Sequence, residues 1–160
     1  MRILIVSDTH RKHENLDTVL SREGKIDMLI HAGDSEDEHY VERAVDCPVH
    51  MVAGNCDLFS FLPKEKEFSV GDYNVLLTHG HHYYADRGTM YLKQAARQRK
   101  ANMVIFGHTH VPLIDTDDDI IAINPGSLSK PRQYGWEPTY VMMEIDKAGQ
   151  ISFELRYVKK

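Results

Sequence analysis

The sequence has only two cysteines, Cys47 and Cys56, in 160 residues. They form neither a CxxC pair nor a disulfide framework, which argues against a stapled secreted scaffold and fits a reducing compartment. Long apolar runs are also missing. They stop at about five residues, against the ~20 that a membrane-spanning helix needs, so no membrane span is expected. The first strand candidate, Arg2 to Val6, begins beside Met1; no signal peptide is expected, and the expected location is cytoplasmic. Positive charge is in deficit, with 19 Lys and Arg facing 24 Asp and Glu for a net charge of −5. Without clustered cations to release counterions, nonspecific nucleic-acid binding is not expected. There is no low-complexity tract, internal repeat or linker, so residues 1–160 read as a single domain. A chain of this length buries roughly two-thirds of the surface its unfolded state exposes.

The apolar and charged fractions, 42% and 27%, are ordinary, whereas ten histidines are many. Several of them follow short apolar runs. ILIV leads into Ser7-Asp8-Thr9-His10, MLIHA into Gly33-Asp34, and VHMVA into Gly54-Asn55-Cys56-Asp57. NVLLT leads into His79-Gly80-His81, and MVIF into Gly107-His108-Thr109-His110. One strand ending in polar residues would mean little, since an Asp there is commonly a helix cap. Five such ends, carrying Asp, Asn and His, point to a common rim.

Strand and helix patterns alternate through the first two-thirds of the chain. Leu16, Val19 and Leu20 have helical spacing and Gly24 follows as a stop; Tyr40, Val41, Ala44 and Val45 repeat the spacing before Pro48. Residues 87–100 make a third helix candidate, with Arg97, Arg99 and Lys100 placed to complement its C-terminal dipole. Strand candidates then run over 103–107, 111–116, 120–124, 139–146 and 150–157, with Asp117 to Asp119 and Ala148-Gly149 as hairpin turns. This order predicts an α/β fold, with parallel βαβ units first, antiparallel hairpins last and helices layered against them.

Residues two apart in extended chain project to one side, so Asp8 with His10, and His108 with His110, can each aim two ligands at one place. In open α/β sheets ligands collect beyond the carboxyl ends of the strands, where all five clusters lie. A metal centre is the expected function of the set. His31, His39 and His50 lack such a position and are assigned to core, surface and strand; His13 is expected to be solvated. Cys47 reads as a buried or turn residue without chemistry.

The order Asp8-x-His10, Gly33-Asp34, Gly54-Asn55, His79-Gly80, Gly107-His108-x-His110 resembles the calcineurin-like metallophosphoesterases, from residue 1 to at least residue 127. Small size, the Gly54-Asn55-Cys56-Asp57 form and Asn124-Pro125-Gly126-Ser127 are similar to the compact YfcE-like phosphodiesterases. The resemblance implies a two-sheet β-sandwich flanked by helices, a four-layer αββα fold. It also implies two divalent ions: Asp8, His10 and His110 at one, Asn55, His79 and His108 at the other, and Asp34 bridging. Carboxylate and imidazole donors suit manganese, zinc, iron or nickel, and Mn²⁺ is the expected metal.

The implied activity is phosphodiester hydrolysis by in-line attack of a metal-bridging hydroxide on a phosphate-ester substrate. Asp34, Asn55 and Cys56 are the catalytic candidates, with the Asn55 amide also binding substrate; His81 is a candidate substitute acid or phosphate contact, and Arg132 a candidate phosphate contact. Many relatives carry His where this chain has Cys56, so the proton for the leaving group would come from a thiol. Two other classes compete. Gly33-Asp34-Ser35 is similar in form to a serine-esterase motif, but Glu36 follows and His110 is the last histidine. A noncatalytic protein-docking scaffold shares the fold, as in a retromer subunit, but there ligand residues are expected to decay. The sequence leaves the oligomeric state open.

Overall fold

The computed structural model describes residues 1–159. Sheet one contains β1 (Arg2–Val6), β2 (Met28–His31), β3 (Val49–Met51), β9 (Thr139–Ile145) and β10 (Ile151–Tyr157), in the spatial order β10-β9-β1-β2-β3. Strands β1, β2 and β3 are parallel and β9 and β10 are antiparallel to their neighbours. Sheet two contains β4 (Glu65–Val70), β5 (Tyr73–Thr78), β6 (Met103–Ile105), β7 (Leu113–Asp115) and β8 (Ile121–Asn124), in the order β4-β5-β6-β8-β7.

Alternation along the strands sets the layers. Ile3, Ile5 and Ile30 of sheet one meet Val75, Leu77, Met103 and Ile105 of sheet two in the central core. Leu4, Val6 and Leu29 point the other way, onto Leu16 and Val19 of helix α1 (Glu14–Glu23) and Val41 of helix α2 (Glu38–Arg43). Leu76 and Val104 face Leu92, Ala95 and Ala96 of helix α3 (Met90–Gln98). The result is the expected αββα sandwich. Strands buried on both faces explain the continuous rather than alternating apolar runs.

Gly24 stops α1 with φ +64°, its N–H bonded to the Leu20 carbonyl. Asp37 caps α2 by accepting from the Tyr40 N–H at 3.2 Å. Helix α3 starts three residues later than its pattern suggests, because Ala85–Arg87 form a 3₁₀ turn that ends at Gly88, φ +114°. The acidic turn 117–119 joins β7 to β8, and Arg97 clamps it through Asp118 and Asp119 instead of only facing its own helix end. Strand β4 has no counterpart among the sequence candidates. It is a charged edge strand whose burial is partial, so it lacks the apolar run that marks the others.

Candidate metal centre

The carboxyl ends of β1, β2, β5 and β6, with the loop after β3, meet at one rim that straddles the two sheets. Asp8 and His10 follow β1, Asp34 follows β2, Asn55 follows β3, His79 follows β5, and His108 and His110 follow β6. Asp8, His10 and His110 present ligand atoms within 4.8 Å of one another, as do Asp8, Asp34 and His79. Asn55 Oδ1 lies 3.1 Å from His79 Nε2 and 3.0 Å from His108 Nδ1. All seven expected ligands are therefore brought together.

Five of them, Asp8, His10, Asp34, His108 and His110, have φ between 46° and 69°. Left-handed backbone costs a side-chain-bearing residue on the order of 1 kcal/mol and persists where the surroundings enforce it, commonly at functional sites. Close packing enforces it here. A Cβ added to Gly54 would stand 2.0 Å from Asp34 Oδ1, and one added to Gly107 would stand 2.0 Å from Ser7 Oγ. The loops can approach only because those positions carry no side chain.

Each imidazole is held from behind. His79 Nδ1 donates to the Ala32 carbonyl at 2.7 Å, and His110 Nδ1 to the Lys130 carbonyl at 2.6 Å. His10 Nδ1 lies 2.6 Å from Glu36 Oε1, and His108 Nε2 lies 3.1 Å from Asp86 Oδ2. Such partners fix which ring nitrogen turns inward. Nothing in the sequence marks Glu36 and Asp86; only proximity in the fold links them to the rim.

Asp57, a turn residue by its sequence context, is a buried brace. Its carboxylate accepts from the backbone N–H groups of Asp34, Glu36 and Gly54 at 2.7, 2.6 and 2.8 Å. Ser127 Oγ and Ser129 Oγ both donate to the Asp8 carbonyl, at 2.8 and 2.9 Å, and Asn124 Nδ2 donates to the Gly107 carbonyl at 2.9 Å. The Asn124-to-Ser127 segment thus carries the rim without joining it. His31 is core, as expected: it accepts from the Gly33 N–H at Nδ1 (3.3 Å) and places Nε2 3.0 Å from Thr9 Oγ1. His39 is exposed and His50 lies in β3, stacked on Phe68, but His13 is not solvated. It stacks on Tyr40 with ring centroids 3.7 Å apart and lies 3.3 Å from Asp37.

Two polar atoms test whether the pocket fits a cation. Asp8 Oδ1 and His10 Nε2 are buried without a hydrogen bond; Asp8 Oδ1 lies 3.0 Å from His110 Nε2, near but not aligned for one. A buried carboxylate oxygen and an imidazole lone pair left open toward each other are costly unless an ion completes them. The donor set of hard oxygen and imidazole suits a divalent metal. Electrostatics agree. Burial acts to raise the Asp34 pKa, but the hydrogen bond and charge of His79 and the Cys56 N–H at 2.7 Å hold it well below the usual carboxylate range. Burial opposes Asp8 in the same way, and His110, His79 and Ser7 bring its pKa below the ordinary value. His79, despite burial, is raised by Asp34 and Asp8.

The remaining expected residues are at the rim to different degrees. Burial and the neighbouring Asp34 push the Cys56 thiol up to about 11, so it keeps its proton at neutral pH. His81 has its ring 5.4 Å from that of His79, a buried Nδ1 with no partner, and a pKa lowered to about 4 by burial and the surrounding histidines. Arg132 sits to one side. Its N–H bonds the His110 carbonyl, and its side chain lines a separate cavity of ≈ 510 Å³ with Asp86, Thr109 and Asn124.

Residues 1–148 match the calcineurin-like phosphoesterase superfamily domain. The chain is 31% identical over 154 residues to the probable metallophosphoesterase YsnB of Bacillus subtilis, covering 96% of this chain and 90% of that protein. It is 27% identical over 144 residues, covering 79% of this chain and 83% of that protein, to phosphodiesterase MJ0936 of Methanocaldococcus jannaschii. A predicted phosphoesterase from Streptococcus pneumoniae has a similar structure, with TM-score 0.83, 29% identity and coverage of 99% and 90%. Two structures at 22% identity share the fold: the phosphoesterase YfcE of E. coli, with TM-score 0.68 and coverage of 99% and 100%, and zinc-complexed Vps29 of Entamoeba histolytica, with TM-score 0.77 and coverage of 99% and 99%. With the matched domain spanning nearly the whole chain and the relatives agreeing, the chain belongs to the calcineurin-like phosphoesterase superfamily.

Proposed function

We propose that this chain is a dinuclear metal-dependent phosphodiesterase. In this reading Asp8, His10 and His110 hold one ion, Asn55, His79 and His108 hold the other, and Asp34 bridges, with Mn²⁺ as the working metal and zinc, iron or nickel as substitutes. The observation that carries it is the pair of buried, unpartnered ligand atoms, Asp8 Oδ1 and His10 Nε2, at a rim where four imidazoles are locked with one nitrogen inward. When bound, two ions supply water activated to hydroxide near neutral pH for in-line attack and positive charge for the phosphoryl oxygens.

The residues do the rest. Asp34 stays ionised under the pull of His79, so it can serve two ions at once. The Asn55 Oδ1 atom faces His79 and His108, while its amide nitrogen donates to Cys56 Sγ at 3.3 Å and is the group proposed to contact a phosphoryl oxygen. Cys56, whose thiol keeps its proton at neutral pH, is the donor proposed for a departing alkoxide. His81 offers a second polar contact to the phosphate, and Arg132 a more distant one. Residues 1–160 act as one domain in the cytoplasm; no helix among the described residues is long and apolar enough to cross a membrane.

Metal analysis of protein purified without added metal, followed by chelation and reconstitution with each ion on bis(4-nitrophenyl) phosphate, tests this reading. Activity lost with chelator and restored best by Mn²⁺ is expected; activity indifferent to metal would overturn it. A protein that binds metal yet turns over no ester would instead be a docking scaffold, a role suggested by the vacuolar protein sorting name of a fold neighbour.

A further inference from the structure

Beside Cys56 a cleft of ≈ 440 Å³ opens between the β1–α1 loop, the start of α2 and residues 56–61. Cys56 joins it to the centre, because its sulfur lies within 4.8 Å of ligand atoms of both His10 and Asp34. The far wall is apolar and almost wholly exposed: Leu58 is 78%, Phe59 96% and Phe61 100% accessible. Three neighbouring large apolar side chains held in water are uncommon on a monomer away from a binding site.

Arg11 forms the near wall. It adopts φ +58°, its N–H bonds the Ser35 carbonyl at 3.1 Å, and its Nε donates to the Glu36 carbonyl at 2.7 Å. Arg11 lines the cleft, and its outer guanidinium nitrogens make no ion pair among the described residues. A strained backbone that presents an unpaired cation beside a reaction centre is the kind of outlier that marks recognition. Glu36, Asp37 and Glu38 line the same cleft but are engaged elsewhere, Glu36 with His10, Asp37 with the Tyr40 N–H and His13, and Glu38 with Ser60 Oγ, so the lining is net acidic around one open guanidinium. That balance disfavours a second phosphate or an anionic lipid and suits an uncharged ring bearing donors and acceptors.

We propose, resting on the phosphodiesterase reading, that this cleft is the nucleobase subsite and that the substrates are small nucleotide phosphodiesters. The phosphoryl group sits at the metal centre, the base stacks on Phe59 and Phe61, and Arg11 bonds its edge. The volume falls within the ordinary range of about 300–1,000 Å³ for small-ligand sites, and base–aromatic stacking is tolerant of sequence.

The test compares adenosine 5′-monophosphate with ribose 5-phosphate, which lacks only the base, as inhibitors of bis(4-nitrophenyl) phosphate hydrolysis by the metal-loaded protein. The nucleotide is expected to inhibit about tenfold or more tightly. In the double variant Phe59→Ala/Phe61→Ala the two inhibition constants should converge, and Phe59→Trp/Phe61→Trp should keep them apart. Both sites are at the surface, so folding does not confound the comparison. Equal constants in the wild type, or a ratio that survives the double alanine variant, would overturn the proposal. If no ester is turned over, the phosphodiesterase reading fails, and calorimetric titration of the same two ligands still decides whether the cleft takes a base.

Discussion

Asp86 Oδ2 lies 3.1 Å from His108 Nε2, and the opposite nitrogen of the same ring lies 3.0 Å from Asn55 Oδ1. A carboxylate behind a metal-facing imidazole fixes its tautomer and raises its basicity, and its loss typically costs about 10–100-fold in metal affinity. Asp86→Asn should weaken Mn²⁺ binding in that range by calorimetry. Because Asp86 is largely exposed, the melting temperature should hardly move. Unchanged affinity would mean that His108 is oriented without it.

Gly54 marks where sheet-one loops touch. The Cβ of Gly54→Ala would meet Asp34 Oδ1 at 2.0 Å and Asp34 N at 2.6 Å, so Asp34 or the loop must move. Expected are loss of bound metal and destabilisation on the order of 1–3 kcal/mol, as for an overpacked core. Gly24→Ala is the control: it has φ +64° and ψ −130° but nothing within 4 Å, so it should cost on the order of 1–3 kcal/mol of backbone strain and leave metal content intact. Metal loss in both variants would show that general destabilisation, not the Asp34 contact, is responsible.

Chelated protein should be most stable near pH 6.5. Below that, buried His31, lowered to about 4, resists a proton that the unfolded chain accepts near 6.5, so stability falls as the solution acidifies. Asp8 and Asp34, with depressed pKa values, extend the loss into the carboxylate range. Above pH 6.5 His79 dominates. Its raised pKa contributes stability that is complete below the unfolded value and disappears as pH climbs through the folded one. Thermal melts in chelator at pH 5, 6.5 and 8 check the dome; a midpoint still climbing between pH 6.5 and 8 would contradict it. Because binding needs unprotonated His79, added Mn²⁺ should stabilise more at pH 8 than at pH 6.

A thiol raised to about 11 in the metal-free protein is a weak proton donor near neutrality. Esters with acidic leaving groups, which need no proton, should be turned over well, and rates should decline steeply toward alkoxide-like leaving groups. Cys56→Ala should slow the poor leaving groups selectively. A flat series, or equal slowing of all esters, would remove Cys56 from that role.

Much of this was legible because strand-end chemistry is local. Apolar runs followed by Asp-x-His or Gly-His-x-His reveal both a strand and what its end carries, so all seven rim residues and the five rim strands stood out, β3 among them although it is only three residues long. What the sequence hid was non-local. Glu36 and Asp86 became partners of His10 and His108 only when loops distant in sequence were brought together. Asp57 could not be read as a brace because two of its three N–H donors come from the β2 loop, distant in sequence. Edge strand β4 escaped because a half-exposed strand lacks the continuous apolar run that betrays a buried one.

Strand β1 pairs with β2 along one edge and with β9 along the other. The last rim residue is His110, but β9 begins only at Thr139. During synthesis, then, every rim residue emerges while one side of β1 still presents unpaired N–H and C=O groups, the kind of edge that recruits other chains. A chain halted after residue 138 would carry every rim residue and its braces but leave sheet one unfinished, and should aggregate in a refolding assay that the full-length chain survives. The C-terminal hairpin, which contributes no atom to the rim, is what closes the open edge of β1.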